Sequence, residues 1–87
     1  MPAGPREQLH ATFLARGYRV EFQLDSPEAF GSWFVDYLRS DRRFRLIWDG
    51  KDDQFILEGG QQWHVIAIKR PAELRSGGIA SFLLEVE

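Results

Sequence analysis

The sequence predicts an α+β fold: a mixed, mostly antiparallel sheet of about five strands packed in two layers on one main amphipathic helix. Three observations carry this expectation. Residues 26–40 place large apolar side chains at helical spacing, residues 18–24 and 44–58 alternate apolar with polar, and Gly- or Pro-containing turns separate the alternating runs.

Residues 1–5, with two prolines and a glycine, read as a flexible tail ahead of a single domain over 6–87. Residues 6–16 carry two readings. Pro5 before Arg6-Glu7-Gln8 and Gly17 after Arg16 are helix start and stop signals. Against them, Leu9, Ala11, Phe13 and Ala15 alternate with more polar neighbours, as in a hairpin strand turning at Arg16-Gly17. The capping residues tip the balance towards helix.

Tyr18, Val20, Phe22 and Leu24 alternate with Arg19, Glu21, Gln23 and Asp25, which predicts a half-buried strand. The main helix is expected next, over 26–40. Ser26 is a good N-cap, Pro27 suits the first helical position, and Glu28 and Arg39 complement the helix dipole. Phe30, Trp33, Phe34, Tyr37 and Leu38 then form one apolar stripe.

Phe44, Leu46 and Trp48 alternate into the turn Asp49-Gly50-Lys51-Asp52-Asp53, and a return strand follows over 54–58. Gly59-Gly60 turns the chain into a strand over 62–70, which Pro71 ends. A connection over 72–78 leads to a last strand, Ile79–Val86, with Ala80, Phe82, Leu84 and Val86 on one face.

At 87 residues the chain is near the lower limit for one self-sufficient core. It has no cysteine, so disulfides, thiolate chemistry and cysteine-based zinc sites are excluded. Seven Phe, three Trp and two Tyr supply aromatic packing instead. The net charge of −2 lacks the positive excess of a domain that coats nucleic acid. No apolar run spans a bilayer and the opening residues lack an apolar signal core, so a cytoplasmic setting is expected. Arginine outnumbers lysine nine to two, a bias that suits a GC-rich bacterial or phage source.

Chemistry is thin in this chain. No serine lies in a Gly-x-Ser-x-Gly turn, and no zinc-protease or phosphate-loop pattern occurs. His64 is the one residue a small enzyme could use as acid or base, and a strand histidine more often has a structural role. Asp49, Asp52, Asp53 and Glu58 cluster, but Lys51 and Gln54 break the spacing of a calcium loop, so neither metal nor cofactor is expected.

The basic run Arg39, Arg42, Arg43 and Arg45 sits near Phe44 and Trp48, as on sheets that bind single-stranded nucleic acid. Cations at a helix C-terminus explain it more simply, and Phe44 and Trp48 share the parity of the core face.

The most suggestive feature is surplus apolar surface. Ile47, Ile56 and Leu83 fall on the face opposite the core, and 61–69 is apolar on both sides. A large uncovered apolar patch usually marks an interface. Either residues 6–16 or another chain must cover it. The expected function is therefore a non-catalytic protein-interaction module, a small regulator, adaptor or inhibitor. Its partner would be another protein or a second copy of itself. Trp63, His64, Arg42, Arg43 and Arg45 are the candidate contact residues, because aromatics and arginines dominate interface energetics. Ile47, Ile56 and Leu83 mark the face. A single-stranded nucleic-acid binder built on Arg39–Arg45 is the alternative, followed by a small enzyme built on His64.

Overall fold

A computed structural model describes residues 5–73. Its elements are α1 (Pro5–Ala15), β1 (Arg19–Ser26), β2 (Ser32–Arg39), β3 (Arg42–Asp49), β4 (Gln54–Gly59), β5 (His64–Lys69) and the single turn α2 (Pro71–Glu73). The five strands form one sheet in sequential order, and every pairing is antiparallel. Most of the expected tail, the strand Ile79–Val86 and Leu83 lie outside the described residues.

Of the two readings for residues 6–16, the helix is the one observed. Its end is a complete Schellman motif: Tyr18 N–H donates to the Phe13 carbonyl at 3.1 Å and Gly17 N–H to that of Leu14 at 3.0 Å. Gly17 supplies the left-handed φ of 89° that the motif needs. The Phe13 and Tyr18 rings meet edge to face across the motif at 5.4 Å. Arg39 closes the end by donating to the Arg16 carbonyl at 2.8 Å.

The main helix over 26–40 is not there. In its place stands a β-hairpin, β1 and β2, with Ser26 opposite Ser32. The start signal at Ser26-Pro27 delivers only one helical turn: Ala29 N–H reaches the Ser26 carbonyl at 2.9 Å and Gly31 N–H that of Pro27 at 3.2 Å. Phe30 and Gly31 then adopt φ of 60° and 73°, and the chain reverses. Beyond the reversal, Trp, Phe, Val and Tyr favour strand over helix, because their χ1 freedom is lost against a preceding helical turn. Strand pairing also buries Val35, which the helical stripe would have left outside.

The core lies on one face of the sheet. Val35 and Tyr37 of β2, Phe44 and Leu46 of β3, and Phe55 and Leu57 of β4 are buried there together with Leu9 and Phe13 of α1. Phe13 stacks on Tyr37 with ring centroids 4.3 Å apart and planes within 7°. Trp48 and Trp33 extend this cluster against Phe55.

Two β-bulges redirect side chains that simple alternation misplaces. Val20 pairs with Tyr37 but Phe22 pairs with Asp36, so Glu21 is an extra residue and Phe22 and Leu24 turn away from the core. In β4–β5, Leu57 pairs with Ala67 but Glu58 with Val65, so Ile66 is extra. Ile66 and Ala67 thus pack against the core, while Val65 and Ile68 point the other way.

Turns 27–31 and 50–53 meet at one end of the sheet. A Cβ on Gly50 would lie 2.0 Å from the Phe30 carbonyl oxygen, so only glycine permits this approach. Ser32 Oγ accepts the Gly50 N–H at 3.0 Å and locks the two hairpins together. No helix among the described residues is long and apolar enough to cross a membrane.

Candidate functional site

The face of the sheet opposite α1 carries a continuous ladder of guanidinium groups and aromatic rings. Its centre is Arg45 on β3, directly opposite Asp36 on β2 and Glu58 on β4. Arg45 Nε donates to Asp36 Oδ1 at 2.7 Å and its Nη2 to Oδ2 at 3.0 Å, a bidentate pair. Asp36 is buried, the one buried charged residue among those described. Its hydrogen bonds hold the Arg45 pKa above the ordinary arginine value, against the effect of partial burial, and the charges of Asp36 and Glu58 act in the same direction.

Trp63 reaches this centre from the β4–β5 turn. Its ring lies 4.2 Å from the Arg45 guanidinium and 4.3 Å from that of Arg43. Arg43 in turn donates to the Gln61 carbonyl at 2.8 Å and to that of Gly60 at 3.4 Å, which ties the turn to β3. On the other side Arg45 covers the Phe34 ring at 4.3 Å, and Phe34 meets Phe22 at 5.7 Å. The ladder therefore crosses the sheet from the β4–β5 turn to β1.

Trp63 adopts φ of 54°, a left-handed conformation rare for a bulky residue. Such a conformation carries a strain of order 1–3 kcal/mol and persists where surrounding contacts over-determine it. Here the two cation–π contacts and the Arg43 hydrogen bonds do so.

Apolar side chains surround the ladder. Phe22, Leu24, Val65 and Ile68 are each about half exposed, at 51, 47, 56 and 50%. Ile47 and Ile56, directly opposite one another on β3 and β4, lie between them. The helix occupies the opposite face, so among the described residues this apolar field has no helical cover.

Of the residues singled out from sequence, Trp63, Arg43, Arg45, Ile47 and Ile56 come together on this face. Arg42 and His64 do not. Arg42 lies at the start of β3 opposite Arg39, on the parity of Phe44, beside a shallow recess with Asp41 and Gln61. His64 is exposed and pairs with Gly59, on the core-face parity. The basic run follows no helix; it lies along the β2–β3 hairpin, and Phe44 and Trp48 belong to the core side.

Sequence reasoning missed Phe22, Phe34 and Asp36. Phe34 and Asp36 fall within the expected helix, and Phe22 within an alternation that the bulge interrupts. The residue types in the ladder were legible; their juxtaposition depends on strand register.

The turn acids have a local role. Asp49 Oδ1 accepts the N–H groups of Lys51 and Asp52 at 3.1 and 3.3 Å. Among the described residues no three His, Asp or Glu side chains gather as a metal site. Compared with known protein families, curated proteins and solved structures, the chain finds no significant match.

Proposed function

We propose that this chain is a non-catalytic protein-interaction domain of regulator, adaptor or inhibitor type, and that it binds through the open face of the sheet. The observation that supports this most is the Arg45 guanidinium, held 4.2 Å from the Trp63 ring and 4.3 Å from the Phe34 ring at the centre of a half-exposed apolar field. Aromatic and arginine side chains at the centre of an apolar patch are the usual energetic anchors of protein interfaces. In this reading the domain is two layers, with α1 on one side of the sheet and the partner on the other. Its setting is the cytoplasm of a bacterium or its phage.

The same contacts weigh against single-stranded nucleic acid. Arg45 is committed to Asp36 and Arg43 to two carbonyls, while the Trp63 ring that would stack on a base already carries both guanidiniums. An enzyme built on His64 finds no support in its surroundings, since no hydrogen bond or ion pair engages that ring among the described residues.

The test is affinity capture from the source cells with and without nuclease, alongside sedimentation to detect self-association. Wild type is compared with Phe22→Glu and Ile68→Glu, both at exposed positions. The expected result is a stoichiometric protein partner, or a dimer, that both variants lose while keeping the wild-type melting temperature. Capture that disappears with nuclease, or that both variants retain, would refute the reading.

A further inference from the structure

On the open face, strand register lines up one apolar side chain from each strand. Leu24 stands opposite Phe34, Phe34 opposite Ile47, Ile47 opposite Ile56 and Ile56 opposite Ile68. Together they form a single row straight across the sheet, about 19 Å long at the usual strand spacing. Every member lies on the side away from α1 and none is buried. Leu24 and Ile68, at the two ends, are about half exposed.

The rows on either side differ from it and from each other. Towards the β2–β3 turn lie Phe22, Asp36, Arg45, Glu58 and Val65, with the charges in the middle. Towards the β1–β2 turn lie Ser26, Ser32, Asp49 and Gln54, all polar. The ends of the sheet also differ in charge. Arg19, Arg39, Arg42 and Arg43 gather at the β2–β3 turn around Asp41. On the strands and turns of the other end, Asp25, Glu28, Asp49, Asp52 and Asp53 outnumber Lys51, Lys69 and Arg70.

We propose that a second copy of this chain covers the open face, across a twofold axis that runs along the apolar row. This names the partner in the reading above and rests on that reading. Such an axis sets each residue of the row against its own copy and lays the charged row on the polar one. Arg45 then opposes Asp49 of the second copy, Asp36 opposes Ser32 and Glu58 opposes Gln54. The axis also brings the basic end of each sheet over the acidic end of the other. An axis along β3, the central strand, would instead set Arg43 and Arg45 on themselves and each end on its like. Five strands of six to eight residues present a face of about 24 by 25 Å. That is about 600 Å² a side and about 1,200 Å² in all, the lower end of the range for specific interfaces. A single helix, about 10 Å across, is too narrow to cover both the row and its flanks.

The chain has no cysteine, so single cysteine substitutions can be cross-linked without interference. The test is sedimentation equilibrium of the full chain from about 1 to 500 µM, a range that brackets weak specific association. Leu24→Cys and Ile68→Cys are then treated with a thiol cross-linker spanning about 10 Å, the spacing of packed sheets. The expected result is a dimer that Ile68→Glu loses, and a covalent dimer from each cysteine variant on its own. Lys51→Cys, in the exposed turn away from the row, should give none. Should Ile68→Glu lack the wild-type circular dichroism, Phe22→Glu serves instead. Covalent dimers only from a mixture of Leu24→Cys and Ile68→Cys would put the axis along the strands and overturn the proposal. A monomer at every concentration would overturn it as well. If that monomer still captures a protein that Ile68→Glu loses, the open face binds a different chain and only the second copy falls. If it captures none, the reading of the face falls too.

Discussion

Asp36 and Arg45 face each other directly across β2 and β3, joined by two hydrogen bonds of 2.7 and 3.0 Å on the side of the sheet away from the helix. The pair joins an acid with 8% of its side chain exposed to an arginine with 25% of its side chain exposed, so neither is fully hydrated. Removing the acid leaves a partly buried cation without its counter-charge. Asp36→Ala is expected to destabilise the fold by about 2–4 kcal/mol, somewhat below the range for fully buried pairs. Replacing both residues, as in Asp36→Leu with Arg45→Met, should recover most of that loss. Urea unfolding of the three variants checks this, and a single variant within about 0.5 kcal/mol of wild type would show the pair to be energetically idle.

The same pair shows why part of the fold was legible in the sequence and part was not. A helix end is local: Gly17 and the apolar residues at 13 and 18 suffice to write a Schellman motif, and α1 ends where those residues say. The segment 26–40 is different. Phe30, Trp33, Phe34, Tyr37 and Leu38 satisfy a helical stripe, yet Trp33, Val35 and Tyr37 equally satisfy a strand face, and Ser26-Pro27 starts a turn in both. Only a partner decides. Asp36 falls outside the helical stripe and becomes meaningful once Arg45 stands opposite. The bulges at Glu21 and Ile66 add a second layer of non-locality, because they invert facing in mid-strand without any break in the apolar pattern. The candidate face was thus visible as surplus apolar residues, but its centre was not.

Phe30 offers a direct test of strain in the β1–β2 reversal. Its φ is 60° and its side chain is 70% exposed, so the ring gains little from burial that would offset the left-handed conformation. Phe30→Gly removes the Cβ penalty and adds some unfolded-state entropy. The expected net effect is stabilisation by about 0.5–1 kcal/mol, read as a rise in melting temperature. A fall of similar size would mean that the exposed ring makes contacts worth more than the strain.

Tyr18 carries the opposite kind of imperfection. Its ring is well packed between Phe13 and Phe44, with the Arg39 guanidinium 4.7 Å above it. Its hydroxyl, however, is buried and has no hydrogen-bond partner among the described residues. A buried unpaired hydroxyl costs about 1–3 kcal/mol. Tyr18→Phe keeps the packing and removes the orphaned group, so it should raise stability by about 1 kcal/mol. Loss of stability in this variant would show that the hydroxyl is satisfied after all.

Tyr37 should make the fold sensitive to alkali. Burial under α1 pushes its phenol up to about 12, an effect that the nearby Arg6 charge partly opposes. In the unfolded chain the same group ionises near pH 10. Between those values the folded state holds a proton that the unfolded state has released, so stability falls as pH rises. The contribution is complete below about pH 10 and is lost progressively towards pH 12, for a total of about 2–3 kcal/mol. Tyr37→Phe should lower stability at neutral pH by about 1 kcal/mol, through loss of the hydrogen bond to His10. It should also flatten the alkaline decline relative to wild type, a difference that isolates Tyr37 from Tyr18. Denaturant midpoints measured at intervals from pH 8 to 12 in both proteins decide the matter. Parallel curves would mean that Tyr37 ionises as easily in the folded chain as in the unfolded one, and that the contact between α1 and the sheet opens to water.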